Sequence, residues 1–168
     1  MVYLRATAVG ILAAVLWLMV PNIGCAQGRD VKSNSVAQSQ VDGFATQLAG
    51  GTIVKVEILQ IPARIMTRTR ITPEMLERQF HYKLTIRDVR GNLYQHKLTE
   101  AAKSISVQPE TDMPDLRWGV IFYDVNEVRV GALYFDQTGH KGAVGNTPVA
   151  FAGGFFKWLD DTFSGSFR

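Results

Sequence analysis

Two side chains at the ends of a short turn form the nearest approach to a catalytic pair. Asp136 and His140 bracket Gln137-Thr138-Gly139, and an acid that orients a histidine is half of a hydrolase triad. The other half is missing: the sequence has no Gly-x-Ser-x-Gly, and no serine stands on a strand-to-helix elbow. The same residues read as turn chemistry, with Asp136 hydrogen-bonding its own turn, Gly139 at a positive backbone angle and His140 exposed. A hydrolase using His140, Asp136 and an unidentified nucleophile or water is the alternative that these residues leave open. Paired carboxylates for glycoside cleavage find less support. Asp88, Asp124 and Asp136 each follow a strand, where turns favour Asp, and Glu57 alternates with Val56 and Ile58 as a solvent-facing strand residue.

Cationic side chains suggest recognition instead. Arg64, Arg68 and Arg70 are even-numbered, so in extended chain they share one face with Met66. A row of guanidinium groups can grip an acidic protein, a phosphate-bearing lipid or a polysaccharide carboxylate. The competing reading is a charged edge strand that discourages sheet-to-sheet aggregation. Further along, residues 118–123 and 128–135 are the clearest strands. A three-residue loop at Val125-Asn126-Glu127 would put Trp118, Val120 and Phe122 opposite Tyr134, Ala132 and Val130 on a core face. The reverse face then carries Arg117, Ile121, Tyr123, Arg129, Leu133 and Phe135. That face is either covered by a helix at residues 155–163 or serves for docking, with Arg117, Tyr123 and Arg129 as its polar contacts.

Metal chemistry has little to work with. Residues 81–87 alternate as a half-buried strand, and residues 93–99 read as the partner strand after a turn at Arg90-Gly91-Asn92. That hairpin places His81 and His96 on opposite faces, so they do not share an ion, and it makes His96 semi-buried. No H-E-x-x-H, EF-hand loop, phosphate-binding glycine loop or dinucleotide fingerprint occurs, and the sequence calls for no metal and no cofactor.

The start of the chain gives its location. Arg5 precedes residues 6–20, which carry no charge; Pro21 then breaks the run, and Gly24-Cys25-Ala26 precedes a polar segment. A basic start, an apolar middle and small residues at a cleavage site make a secretory signal over residues 1–26, with Gln27 as the first mature residue. Two alternatives remain. Cys25 follows Gly24 as a lipid-attachment cysteine would, although Asn22 stands where that pattern expects Leu. The chain would then be a lipid-tethered structural lipoprotein. The apolar run could also be retained as an anchor, but fifteen helical residues span only about 22 Å against a hydrocarbon core of roughly 30 Å. Each case puts the folded part outside the cytoplasm, in the periplasm or tethered at the membrane facing it.

Composition fits a globular domain. The chain has 168 residues, 18 basic and 15 acidic side chains and a single cysteine. Without residues 1–26 it has 17 basic against 15 acidic side chains, or +2, and no thiol. Disulfides and cysteine-based zinc sites are thereby excluded from the mature chain, and so small a net charge argues against nucleic acid as a partner. Residues 27–35 read as a polar tether and residues 36–168 as one domain. Helices are expected at 35–48, capped by Ser35 and ended by Gly50-Gly51, after Thr72-Pro73-Glu74, and in the tail. Strands are expected at 52–61, 81–87, 93–99, 104–107, 118–123 and 128–135, with a short last one at 143–144. The fold class is α+β: a single antiparallel sheet of about six strands with two or three short helices. The function expected is a binding module of the bacterial cell envelope, of inhibitor, immunity, chaperone or scaffold type. Its partner would be another envelope protein or an anionic envelope component. Mass spectrometry of the protein recovered from an expressing bacterium should find Gln27 as the first residue; a diacylglyceryl group on Cys25, or an intact start, would select one of the alternatives.

Overall fold

The computed structural model describes residues 27–91 and 93–167; residues 1–26, expected from sequence to be a secretory signal, and with them Cys25, lie outside the described residues. Four α-helices and one antiparallel sheet of seven strands make the α+β fold among those residues. In chain order they are α1 (Gln27–Ala49), β1 (Ile53–Gln60), α2 (Pro73–Gln79), β2 (Tyr82–Arg87), α3 (Leu93–Lys103), β3 (Ser106–Pro109), β4 (Trp118–Asp124), β5 (Arg129–Phe135), β6 (Lys141–Val144), β7 (Thr147–Ala152) and α4 (Phe155–Phe163). Across the sheet the strands run β2-β1-β4-β5-β6-β7-β3.

Helix α1 buries Ala37, Val41, Phe44, Ala45 and Leu48, a stripe at helical spacing. It starts well before Ser35, which is therefore internal and not a cap, and the polar residues 27–35 form its first turns. Its end follows the glycine pair. Thr52 N donates to Gln47 O at 2.9 Å and Gly51 N to Leu48 O at 3.1 Å, with Gly51 at φ 69°, the left-handed Schellman closure that glycine adopts without penalty. Helix α2 has the start that its sequence announces: Thr72 Oγ1 accepts from Met75 N and Pro73 takes the first helical position.

Residues 93–99 form helix, not strand. Gln, Lys, Glu and Ala favour helix, and Leu98, Thr99 and Ala102 turn inward together at i, i+1 and i+4. Gln95 Oε1 accepts from Gly91 N at 2.5 Å, and its Nε2 donates to the end of α1 at Leu48 O, 2.8 Å. With no hairpin there, His96 is an exposed helical residue and not semi-buried. The seventh strand, β7, was hidden by Pro148, which pairs with Ala143 inside the sheet. Pro148 O accepts from Glu110 N, so the missing N–H falls on the β3 side just where β3 ends.

The β4–β5 hairpin keeps the expected three-residue loop, yet its pairing shifts by one. Tyr123 faces Arg129, but Phe122 faces Gly131, which leaves Val130 as a bulge. Trp118 therefore pairs with Phe135 and Val120 with Leu133, not with Tyr134 and Ala132. Leu133 and Phe135 join Trp118, Val120 and Phe122 in the larger core, under α1, α3 and α4. Tyr134 and Ala132 move to the other face, with Leu59, Ile121, Leu76 and Leu116. The tail helix covers the Trp118 face, not the reverse one: Phe135 stacks on Phe155 at 5.7 Å, and Phe156 meets Trp118 edge-on at 6.1 Å.

Gly131 makes room for the Phe44 ring of α1. A Cβ there would lie 2.4 Å from the Phe44 ring, which packs 5.1 Å from Phe122. Among the described residues the buried hydrophobic side chains lie between Ala37 and Phe163, so a chain that begins at Gln27 retains all of them. Gly131→Ala should cost about 2 kcal/mol by overpacking. Combined with Phe44→Leu it should cost less than the two single variants added together, as urea unfolding of the four chains would show.

Candidate functional site

The face of the sheet that carries α2 and the smaller core has two charged ends, and both derive from residues singled out in the sequence. At one end, Arg117 is only 9% exposed and precedes β4. Its guanidinium binds the Asp115 carboxylate through Nε at 2.9 Å and Nη2 at 2.6 Å, and Nη1 donates to Ile65 O at 2.9 Å. Asp115 also accepts from Ile71 N at 2.8 Å. These bonds clamp the segment between β1 and α2 at two points, while Ile61 and Ile71 bury its ends in the smaller core. A turn closed by Ile65 N to Pro62 O completes the scaffold.

On that scaffold residues 62–70 form a loop, not the edge strand considered from sequence. Arg64, Arg68 and Arg70 are all exposed, and Met66 at its tip is 96% exposed. Arg70 Nη1 donates to Met113 O at 2.8 Å, and Arg64 Nη2 lies 3.5 Å from the Tyr82 hydroxyl on β2. Neither contact neutralises a charge. Among the described residues none of the three arginines has an ion-pair partner, because Asp115, the acid beside them, is engaged by Arg117. Arg68, Arg70 and Arg117 line one open depression of about 400 Å³. Its walls include Ala63 and Ile65, so the site offers guanidinium groups over a partly apolar floor.

Tyr123 and Arg129 belong to the other end. Six strand positions separate Arg117 from Tyr123, roughly 20 Å at the usual rise. Tyr123 donates to Glu57 Oε2 at 3.0 Å, Lys83 reaches Glu57 Oε1 at 3.0 Å, and Lys55 sits 4.2 Å over the Tyr123 ring. Beside them Arg129 holds Glu77 of α2 at 3.0 Å and the Tyr134 hydroxyl at 2.6 Å, and Tyr134 itself donates to Glu77. Acids and bases match one another here, and the network pins α2 to the sheet. Lys55, Glu57, Glu77, Lys83 and Tyr134 are its members that sequence reasoning missed as partners. The alternation of Glu57 with Val56 and Ile58 placed it on the face opposite the main core, but it is shielded and paired there and not solvent-facing, and Tyr134 reaches that face only through the bulge.

Burial of Glu57 would raise its carboxyl, but hydrogen bonds from Lys83 and Tyr123 and the nearby ammonium groups outweigh it and hold the group below its ordinary 4.5. Burial, then the bond to Glu57, pushes the Tyr123 phenol up from 10.0 to about 12. Burial and Glu77 likewise raise Tyr134.

At the third location the Asp136 carboxylate is occupied by its own turn. It accepts from Thr138 N at 3.1 Å, Thr138 Oγ1 at 3.0 Å and Lys141 N at 3.4 Å. His140 joins this turn through its backbone N–H, and its side chain is exposed. Gly139, at φ 73°, closes against Phe156 of α4. His96 lines a different feature, a groove of about 530 Å³ between α1 and α3 with Gln95, Thr99, Glu100 and Lys103.

Glu57 titrates lower in the folded chain than in the unfolded one. Its stabilisation is therefore complete above about pH 4.5 and disappears as pH falls through the folded value. Tyr123 is the opposite case: its contribution is present below pH 10 and is lost as pH rises from 10 toward 12. Urea unfolding across pH should show a shallower acid limb for Glu57→Gln and a shallower alkaline limb for Tyr123→Phe, with Glu57→Gln costing about 2 kcal/mol at neutral pH. Arg117→Ala should cost a similar amount and make the chain more rapidly cleaved by trypsin after Arg64, Arg68 and Arg70, because the clamp on their loop is gone. In comparisons with known proteins, no family model, no curated protein and no solved structure matches the chain.

Proposed function

We propose that the protein is a small exported module of the bacterial cell envelope that works by binding an anionic partner through loop 62–70. The observation that carries this reading is charge left over. Between Glu57 and Glu74 the sequence has no acid, while Arg64, Arg68 and Arg70 stand exposed with no ion pair among the described residues. A structural role would pair these groups, as the Glu57 and Glu77 networks do at the other end of the same face. Exposed guanidinium groups held on a clamped loop form strong charge-assisted bonds with carboxylate or phosphate, and the clamp lowers the ordering cost of doing so. Export to the periplasm, by a cleaved signal over residues 1–26, accords with the uncharged run after Arg5 and with the absence of any thiol from the mature chain.

The chain from Gln27 onward should capture an anionic component from envelope extracts, and Arg64/Arg68/Arg70 triple alanine should lose that capture. A variant with alanine at both Asp136 and His140 should retain it in full. Retention by the triple variant, or hydrolytic activity abolished by the Asp136 and His140 substitutions, would reverse the assignment.

A further inference from the structure

We infer that the anionic partner of loop 62–70 is the headgroup layer of a membrane, with Met66 entering the interface between the arginines. This inference rests on the binding role just proposed for the loop.

Three features favour a membrane over an acidic protein. The first is the order of residues at the tip: Arg64, Ile65, Met66, Thr67, Arg68, Thr69, Arg70. Met66 is 96% exposed and flanked by cations on both sides. A long, unbranched apolar side chain held fully in water beside basic groups fits an interface where hydrocarbon lies just below a layer of phosphates. The second feature is the spread of the guanidinium groups. Arg64 leans toward Tyr82 on β2, whereas Arg70 is tied to Met113 on the opposite flank. Groups splayed across a tip meet many separate anions, as a lipid surface presents, better than one enclosed anion. The third feature is openness. The depression holding Arg68, Arg70 and Arg117 is about 400 Å³, and Asp115 already occupies Arg117, so the remaining cations face outward and not into a closed anion cage.

Electrostatics sets the expected size of the effect. A basic side chain near an anionic bilayer strengthens attachment about fivefold, so three give about a hundredfold. That makes a reversible surface contact, suited to a chain delivered to the envelope and dependent on ionic strength.

Sedimentation of the chain from Gln27 onward with vesicles tests the idea. Vesicles of phosphatidylcholine with one third phosphatidylglycerol should carry the protein down, and phosphatidylcholine alone should not. The triple alanine variant should bind the anionic vesicles about a hundredfold more weakly, Arg68→Glu at least fivefold, and Met66→Ala several-fold, each with an unchanged circular dichroism spectrum. High salt should release the wild-type chain. Equal sedimentation of wild type and Arg68→Glu, or no sedimentation of wild type, would overturn the membrane assignment. If vesicles fail while arginine-dependent capture of an acidic envelope protein persists, the headgroup inference falls and the binding role stands. If the arginine variants change neither measurement, both fall.

Discussion

One unpaired residue in β5 decides what each face of the sheet carries. Arg129 and Tyr134 are an odd number of positions apart, so in a regular strand their side chains would project from opposite faces. The bulge at Val130 inserts one residue between them, and both then point the same way, with Arg129 2.6 Å from the Tyr134 hydroxyl. The same insertion sends Leu133 and Phe135 under the helices. A continuous ladder would have lost one side or the other. With the three-residue loop and no bulge, Tyr134 would have gone into the main core with its hydroxyl. Shifted throughout, the ladder would have turned Arg129 toward the helices. A single extra residue lets the hairpin satisfy both constraints.

The division of charge on the α2 face of the sheet follows from that arrangement. Near the bulge the two carboxylates are matched by cations and phenol donors: Glu57 receives Lys83 and Tyr123, and Glu77 receives Arg129 and Tyr134. Partly buried charges of this kind need partners, because desolvation without compensation costs several kcal/mol. Toward the loop the need disappears. Arg64, Arg68 and Arg70 lie in water, where an unpaired charge is hydrated at no penalty, and their loop is held by Arg117 and Asp115 instead of by pairs of its own. One arginine fixes the loop, and three others are thereby left available.

Much of the scaffold was legible in the residues. The capped start at Thr72-Pro73, the glycine stop after α1, the strong β4 and β5 strands, the three-residue loop between them and the aromatic tail helix all carry local signals that the structure keeps. The errors have physical causes. Residues 93–99 alternate polar and apolar well enough to suggest a strand, but Leu98 and Ala102 bury at helical spacing against α1, and tertiary contact decided the matter. Pro148 concealed β7 because its compatibility depends on where β3 ends, a long-range fact. The bulge left no mark in composition. Consequently Tyr123 and Arg129 were rightly placed together, while Leu133 and Phe135 were placed on the wrong face. The arginine trio was legible as a cluster but not as a loop, since its extended spacing is the same in both.

The two cores explain how a charged loop can be carried without weakening the domain. Helices α1, α3 and α4 all pack on the Trp118 face, where the larger core lies, whereas the loop inserts its ends Ile61 and Ile71 into the smaller core on the opposite face. The sheet separates them. Repulsion among the loop arginines therefore acts through exposed, high-dielectric surroundings, where like charges interact weakly, and it does not reach the contacts that hold the helices. The cost of keeping unpaired cations together falls mainly on the Arg117–Asp115 clamp beneath the loop, in which Arg117 is buried and Asp115 partly exposed. A loop with this construction can change its charge pattern freely while the clamp persists, and loses its shape when the clamp goes, whatever its exposed side chains are.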